Sequence, residues 1–335
     1  MWMLLTAIYL AIAHIAGDNI AVVPDMAANI GSDIYITSVF AYILFGSIVA
    51  GLAAWIGVKT GLELTCVVKR LFGYSGKKVM AITILSICLP ASALTGGYFA
   101  GWILFTVTGI PLWLGMPICI ITFSLLAAGY GKELLKISNY VALLLVPILF
   151  ITLYGYGVPS FRNVPMGGHV DWLLVCALIG YNVGGMRPAL VVEAAAQLAC
   201  QGYKAIAMVV LAKLFEGVIT LAAAHVILIT GSQGPLALVQ AVGHFWGAFG
   251  MLLFNFILLC AFINTMAPAM LVNAKQISIL TGLSYWPAMC FAGAAVGVCS
   301  FVRFDIILQL MSYTGVIMAV FIGYTVYFLH KYGIK

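Results

Sequence analysis

The fold is decided by one stretch of the chain, Gly185-Met186-Arg187-Pro188-Ala189-Leu190-Val191-Val192-Glu193-Ala194-Ala195-Ala196-Gln197-Leu198. A near copy stands 168 residues earlier and aligns without gaps: Gly17-Asp18-Asn19-Ile20-Ala21-Val22-Val23-Pro24-Asp25-Met26-Ala27-Ala28-Asn29-Ile30. Both copies place glycine and polar residues inside an apolar segment, with an acid (Asp25, Glu193) and an amide (Asn29, Gln197) at matching positions. Apolar helices that are interrupted at corresponding places in two halves of a chain point to a transporter binding site.

The composition excludes a water-soluble protein. Of the 335 residues 64% are hydrophobic and only 7% are charged, and the mean hydropathy is +1.17. Too few polar side chains remain to cover the surface of a soluble domain of this length. The apolar runs are about twenty residues long, which favours membrane helices over the shorter alternating strands of a β-barrel. The net charge of +6 indicates no nucleic-acid partner, because loops on one membrane face account for it.

Ten apolar stretches follow from charged or Gly/Pro-rich breaks, at 3–30, 34–57, 78–108, 111–129, 137–156, 170–199, 203–230, 245–272, 281–301 and 304–329. The second five begin near the positions that the 168-residue offset predicts from the first five. Since five is an odd number, the second copy is inverted in the bilayer. We therefore predict an all-α membrane protein of ten transmembrane helices, built as a 5+5 inverted repeat with helices 1 and 6 broken. It forms one domain, 1–335, with repeats of about 1–160 and 168–330.

The distribution of basic residues predicts the orientation. Eleven Lys and Arg residues fall on one side of the predicted spans and two, Arg162 and Arg303, on the other. The positive-inside rule then places both termini in the cytoplasm, and we expect an integral protein of the plasma (inner) membrane. Segment 60–74 is predicted to form an interfacial helix on the cytoplasmic face, and 232–243 an outer loop with a short helix.

Ten helices in a 5+5 inverted repeat with broken first and sixth helices resemble the LeuT-type fold of the amino acid–polyamine–organocation superfamily. Three narrower resemblances are present. Tyr181-Asn182 is similar to a motif of the YkvI-type membrane proteins. Gly57-Val58-Lys59-Thr60-Gly61-Leu62 with Arg70-Leu71-Phe72-Gly73 resembles the loop after helix 2 in nucleobase–cation symporters. Gly17-Asp18-Asn19 and Met186-Arg187-Pro188 resemble the ion-binding motifs of NRAMP metal transporters, without the proline of the first and the histidine of the second.

Ionisable residues inside the spans are the candidate functional groups, because each costs at least ~2.5–3.5 kcal/mol in hydrocarbon. Asp18 and Arg187 lie at the two breaks. Asp18 either binds a substrate amine, a coupling ion or a proton, or caps the following half-helix. Arg187 cannot lose its proton and needs an anion, either Asp18 itself or a ligand carboxylate held between the two. The predicted substrate-binding residues are Asp18, Asn19, Tyr98, Tyr181, Asn182, Met186 and Arg187.

Two further groups are candidates for gating and coupling. Glu193, Lys213 and Glu216 are predicted to cluster as a cytoplasmic gate or proton path, the alternative being a static ion network. Asn264-Thr265 resemble the paired oxygen ligands of a sodium site in LeuT-type symporters, although such side chains also bond their own helix. Tyr98 and Tyr181 are expected to close an aromatic lid over the ligand.

These features predict a secondary active transporter for a small polar solute, an amino acid or related amine, with Na⁺ or H⁺ as the coupling ion. The alternatives are a divalent metal transporter of the NRAMP type and a non-transporting membrane receptor subunit. Arg187 argues against the metal because it would stand beside the ion. No enzymatic constellation, resident cofactor or protein metal site is expected, the partners are a small-molecule substrate and the bilayer, and the sequence leaves the oligomeric state open.

Overall fold

The structure is a computed structural model that describes residues 35, 39–156, 172–232 and 236–332. Eleven helices occupy these residues, and they contain no β-strand. In chain order the helices are α1 Val39–Thr60, α2 Leu64–Thr108, α3 Leu112–Ala127, α4 Lys132–Ala142, α5 Leu145–Tyr156, α6 Trp172–Met186, α7 Pro188–Gln197, α8 Tyr203–Thr230, α9 Ala237–Thr281, α10 Tyr285–Ser300 and α11 Phe304–Tyr332.

The helices account for nine of the ten predicted spans. Six are long and apolar enough to cross a membrane: α1, α2, the α4–α5 segment, α8, α9 and α11. The bent pair α6–α7 forms a seventh, and α3 and α10 are shorter apolar helices. The all-helical fold is thereby confirmed. The stretch 3–30, which contains the predicted first break, lies outside the described residues, so the count of ten remains a prediction.

Two of the long helices bend sharply near their beginning. Gly73 in α2 and Gly247 in α9 both have a positive φ of 72° and leave the helical conformation. Residues 64–72 before the first bend form a helix within the segment 60–74, and its predicted interfacial position stays a prediction. Residues 237–246 before the second bend form a short helix, where the sequence predicts one within 232–243. Residues 233–235 of that segment are not described.

Small residues bring the broken span into close contact with its neighbours. The backbones of Gly180 in α6 and Gly315 in α11 are in direct contact. Gly57 in α1 packs against α7, where a Cβ on this glycine would lie 2.9 Å from the Cβ of Ala195. Without a hydrophobic driving force between membrane helices, such close backbone contacts supply much of the packing energy. The broken span is therefore fixed by α1 on one side and α11 on the other.

Candidate functional site

The break between α6 and α7 confirms the sequence-based interruption of the sixth span. The segments Val175–Gly184 and Pro188–Gln197 are bent by 45°. Arg187 lies between them with φ 50° and ψ 72°, a left-handed conformation that costs energy for any residue other than glycine. Pro188 begins α7, where its fixed φ suits a first helical turn and its missing N–H is not needed. A strained backbone at this point is typical of a functional site.

The Arg187 side chain is buried at the break, and two of its nitrogens lack a partner in the part of the chain that the structure describes. The residue is only 3% exposed, and its Nε and Nη2 atoms have no hydrogen-bond partner among the described residues. A guanidinium stays protonated even when it is buried, so its charge requires an anion. The N-terminus of α7 adds N–H groups and a positive dipole end at the same place. The break therefore has the chemistry of an anion site.

A second buried polar group lies one and a half helical turns before Arg187. Asn182 is 1% exposed, and within the described part of the chain neither its Oδ1 nor its Nδ2 has a partner. The two residues are five positions apart, which corresponds to ~7.5 Å at the rise of an α-helix. Buried amides that lack a partner cost about 1–3 kcal/mol, so a ligand or an ion is expected to satisfy Asn182.

Asn182 belongs to a group of residues that we call the polar node, formed by Gly46 of α1, Asn182 of α6, and Lys213 and Glu216 of α8. A Cβ on Gly46 would lie 2.9 Å from Lys213 Cε and 3.0 Å from Asn182 Oδ1, which brings both side chains to the same point. Lys213 Nζ donates a hydrogen bond to Glu216 Oε1 at 2.7 Å, and both side chains are 3% exposed. The predicted Lys213–Glu216 pair is thus present, and it lies beside Asn182.

Glu193 pairs with Lys275 in the structure, and its predicted cluster with Lys213 and Glu216 stays a prediction. Lys275 of α9 donates to Glu193 Oε1 at 3.2 Å and also pairs with Glu63, which precedes α2. These three residues form what we call the inner clasp. The helix α7 turns Glu193 toward α9. Sequence reasoning treated Lys275 as a loop cation because it ended the eighth span at residue 272, whereas α9 continues to Thr281.

The inner clasp shifts the pKa of Glu63, which lies outside the membrane-spanning helices. Burial raises the pKa of the Glu63 carboxyl, but the hydrogen bond and the positive charge of Lys275 act in the opposite direction. Together with a weaker effect of Lys77, they leave its pKa below its ordinary value of 4.5. Glu63 is therefore held as a carboxylate that faces the ammonium of Lys275.

The remaining predicted site residues are more dispersed. Tyr98 lies on a π-helical segment of α2 and stacks on Phe304 of α11, with ring centroids 5.5 Å apart. Tyr181 is fully buried, and Met186 ends α6. Asp18 and Asn19 lie outside the described residues. The aromatic lid of Tyr98 and Tyr181 remains a prediction.

Asn264 and Thr265 point in different directions on α9. Thr265 Oγ1 donates to the carbonyl of Ala261 at 3.2 Å, which is the helix-bonding alternative that the sequence left open. Asn264 is half-buried, and its Oδ1 has no partner among the described residues. The sodium site therefore remains a prediction that rests on Asn264 more than on Thr265. The part of the chain that the structure describes contains no group of three His, Cys, Asp or Glu side chains suited to a metal ion.

Comparison with known proteins identifies the fold. No protein-family profile matches the sequence, and no curated protein does. Among solved structures the chain is similar to Mhp1, a nucleobase–cation-symport-1 family transporter, in a closed conformation with bromovinylhydantoin bound. The two are 15% identical, the match covers 97% of this chain and 76% of that one, and the TM-score is 0.72. This chain has the LeuT fold.

A second Mhp1 structure, in an inward-facing conformation, is also similar to this chain. The inward-facing form is 16% identical over 97% of this chain and 71% of that one, with a TM-score of 0.54. The LeuT-fold bundle of this chain thus matches the closed form better than the inward-facing form. The resemblance to nucleobase–cation symporters is supported at the level of fold, and the YkvI and NRAMP resemblances remain predictions.

Proposed function

We propose that this chain is a secondary active transporter for a small carboxylate-bearing solute, an amino acid or related amine, with Na⁺ or H⁺ as the coupling ion. The observation that carries the proposal is Arg187, a buried guanidinium at the broken span with two nitrogens that no described residue partners. A permanent partner within the described residues would have made it a structural cation. An exchangeable anion explains both its burial and its strained backbone.

Recognition would divide between the two ends of the solute. Arg187 binds the carboxylate through paired hydrogen bonds, supported by the N-terminus of α7. Asn182 meets a polar group on the other side, since its amide both donates and accepts. From the sequence, Asp18 and Asn19 of the first break are the partners expected for an amine. Met186, Tyr98 and Tyr181 would shape the space between.

The coupling ion would act through the polar node or through α9. If the ion is H⁺, protonation of Glu216 removes the charge that holds Lys213, and the Lys213 ammonium is released beside Asn182. If the ion is Na⁺, the oxygen of Asn264 is the expected ligand, with Thr265 beside it. The polar node touches the proposed substrate site directly, which favours the proton route.

The inner clasp would hold the transporter closed on its predicted cytoplasmic side. Lys275 of α9 ties α7, the inner half of the broken span, to the chain just before α2. For α7 to move away from α9, the ion pair with Glu193 must break. This agrees with the better match to the closed form than to the inward-facing form of Mhp1.

A neutral cyclic amide, such as a nucleobase, is the second candidate. It is favoured by the donor and acceptor of Asn182, which no residue within the described ranges partners, and by the hydantoin bound to the structurally similar Mhp1. Such a ligand would leave the charge of Arg187 unbalanced, and for this reason we rank it second. Arg187 opposes a divalent metal for the same electrostatic reason.

Two experiments test the proposal. The first measures binding of radiolabelled amino acids and nucleobases to the purified protein, and the second measures counterflow of the bound solute in proteoliposomes. We expect a carboxylate-bearing solute to bind and exchange, and Arg187→Gln to weaken its binding at least about tenfold, since hydrogen bonds to a charged group contribute roughly 1.5–3 kcal/mol. Arg303→Gln is the matched control, because Arg303 lies exposed beside Asp305. Binding of a nucleobase alone, or equal affinities in the two variants, would overturn the carboxylate proposal. Binding without exchange would overturn transport.

A further inference from the structure

The bend at Gly73 creates a concave apolar surface that the transport mechanism does not use. It lies between the two arms of α2 and the C-terminal half of α11, and encloses a cavity of about 580 Å³. Its lining includes Val68, Phe72, Val79, Val320, Tyr324 and Phe328. We call it the corner groove. The groove is open at the side of the bundle, and its walls carry almost no polar surface, so water does not suit it.

Basic residues surround one end of this groove. Phe72 and Phe328 meet edge to face at its base, with ring centroids 5.2 Å apart. Lys69 is exposed one turn before Phe72, and Lys331 is exposed one turn after Phe328. Lys78 is exposed beside Val79 in the other wall, with its Nζ 5.3 Å from the ring centroid of Tyr74. Lys331 Nζ lies 5.7 Å from the ring centroid of Tyr327.

We infer that the corner groove is a binding site for one anionic phospholipid, whose acyl chain occupies the apolar groove and whose phosphate meets Lys69, Lys78 and Lys331. An apolar cleft with cations at one end matches the two parts of such a lipid. All three lysines lie on the predicted cytoplasmic face, where anionic lipids concentrate and attract basic side chains. Contacts with the rings of Tyr74 and Tyr327 restrict two of the ammonium groups, which lowers the cost of ordering them.

The bend is what distinguishes this groove from an ordinary lipid-facing surface. A straight helix would leave α2 and α11 as parallel ridges, whereas the turn at Gly73 folds residues 64–72 across the bottom of the cleft. The conformation φ 72°, ψ −165° is accessible essentially to glycine alone. The groove is therefore a fixed part of the fold rather than a gap between mobile helices.

Native mass spectrometry of the purified full-length protein, with phosphatidylglycerol or phosphatidylcholine added at equal concentrations, tests the inference. We expect one phosphatidylglycerol to bind in preference to phosphatidylcholine. The pair Lys69→Gln/Lys331→Gln should weaken that binding by about fivefold for each residue removed. Lys59→Gln/Lys204→Gln is the control, because it removes the same charge from exposed residues of the same predicted face. Equal loss in both pairs, or no preference between the lipids, would overturn a specific site.

A second experiment fills the corner groove with a larger side chain. Val320 and Val79 are 53% and 52% exposed, so tryptophan at either position is compatible with folding. Val320→Trp and Val79→Trp should each abolish the preferential binding, while Val298→Trp, on the exposed face of α10, should not. Retention of the lipid by both filled variants contradicts the proposal. A wild-type dimer that becomes monomeric in both tryptophan variants also contradicts the proposal, because a second copy of the chain would then occupy the groove.

Discussion

Gly73 and Gly247 have the same backbone conformation, with φ 72°, ψ −165° at the first and φ 72°, ψ −170° at the second. Each follows a short helix and begins the long part of a membrane helix. They are 174 residues apart, close to the 168-residue offset of the two sequence copies. The two halves of the chain thus share this bend as well as the two sequence copies, which is what the predicted internal repeat leads us to expect.

Replacing Gly315 by alanine should strongly destabilise the bundle. A Cβ at this position would overlap the backbone carbonyl of Gly180, and neither backbone has room to move because α6 and α11 pack along their length. Overpacking of this kind costs about 1–3 kcal/mol or more. Gly323→Ala in the same helix is the control, since a Cβ there meets nothing within 4 Å. Thermal melting in detergent measures the difference, and equal melting temperatures would contradict the packing argument.

The parts of the structure that local chemistry controls were predictable from the sequence. The break at Arg187 followed from a proline and a charge inside an apolar run, and the Lys213–Glu216 pair followed from i,i+3 spacing on one helix. The inner clasp did not follow, because Lys275 and Glu193 are 82 residues apart and meet only through helix packing. Gly46 gave no signal either, as its role depends on Asn182 and Lys213 approaching it from two other helices.

Breaking the buried ion pair of the polar node should cost more than removing it. Lys213→Met removes the cation that Glu216 faces, and Glu216→Leu removes the carboxylate that Lys213 faces, so each single change is expected to cost about 3–5 kcal/mol. The double variant should recover much of that loss, because both members of the pair are then absent. Melting temperatures of the four proteins form a double-mutant cycle. Arg303→Gln, in an exposed pair, should change stability by less than about 1 kcal/mol. Additive losses at Lys213 and Glu216 would contradict the coupling.

The inner clasp should restrain the motion of α7. Lys275→Gln removes the cation that both Glu63 and Glu193 face, so the ion pair that ties α7 to α9 is lost. We expect faster hydrogen–deuterium exchange in peptides covering Pro188–Gln197. Lys136→Gln, which breaks the exposed pair with Glu133, provides the comparison. If exchange in α7 is the same in both variants, the clasp does not hold this helix.

The stability that Glu63 contributes should depend on pH. Its pKa in the folded protein lies below the ordinary value of 4.5, so the contribution is complete above that value and is lost as the pH falls through the lowered pKa. The melting temperatures of the wild type and Glu63→Gln should therefore differ at pH 7 and converge as the pH falls through the lowered pKa of Glu63. A difference that grows on acidification would show that the sign of the shift is wrong.

Gly46→Ala should disturb the site more than the fold. The added Cβ would lie 2.9 Å from Lys213 Cε, 3.0 Å from Asn182 Oδ1 and 3.3 Å from the carbonyl of Ala41, so the two side chains must move away. The flexible stem of Lys213 absorbs part of the strain, and we expect a stability loss near the lower end of the ~1–3 kcal/mol range for overpacking. Solute binding should weaken several-fold, because Asn182 is displaced. Gly297→Ala, where the nearest atom is 4.0 Å away, should change neither. An unchanged affinity in Gly46→Ala, with the same stability loss, would remove Asn182 from the binding site and leave it a packing residue of α6.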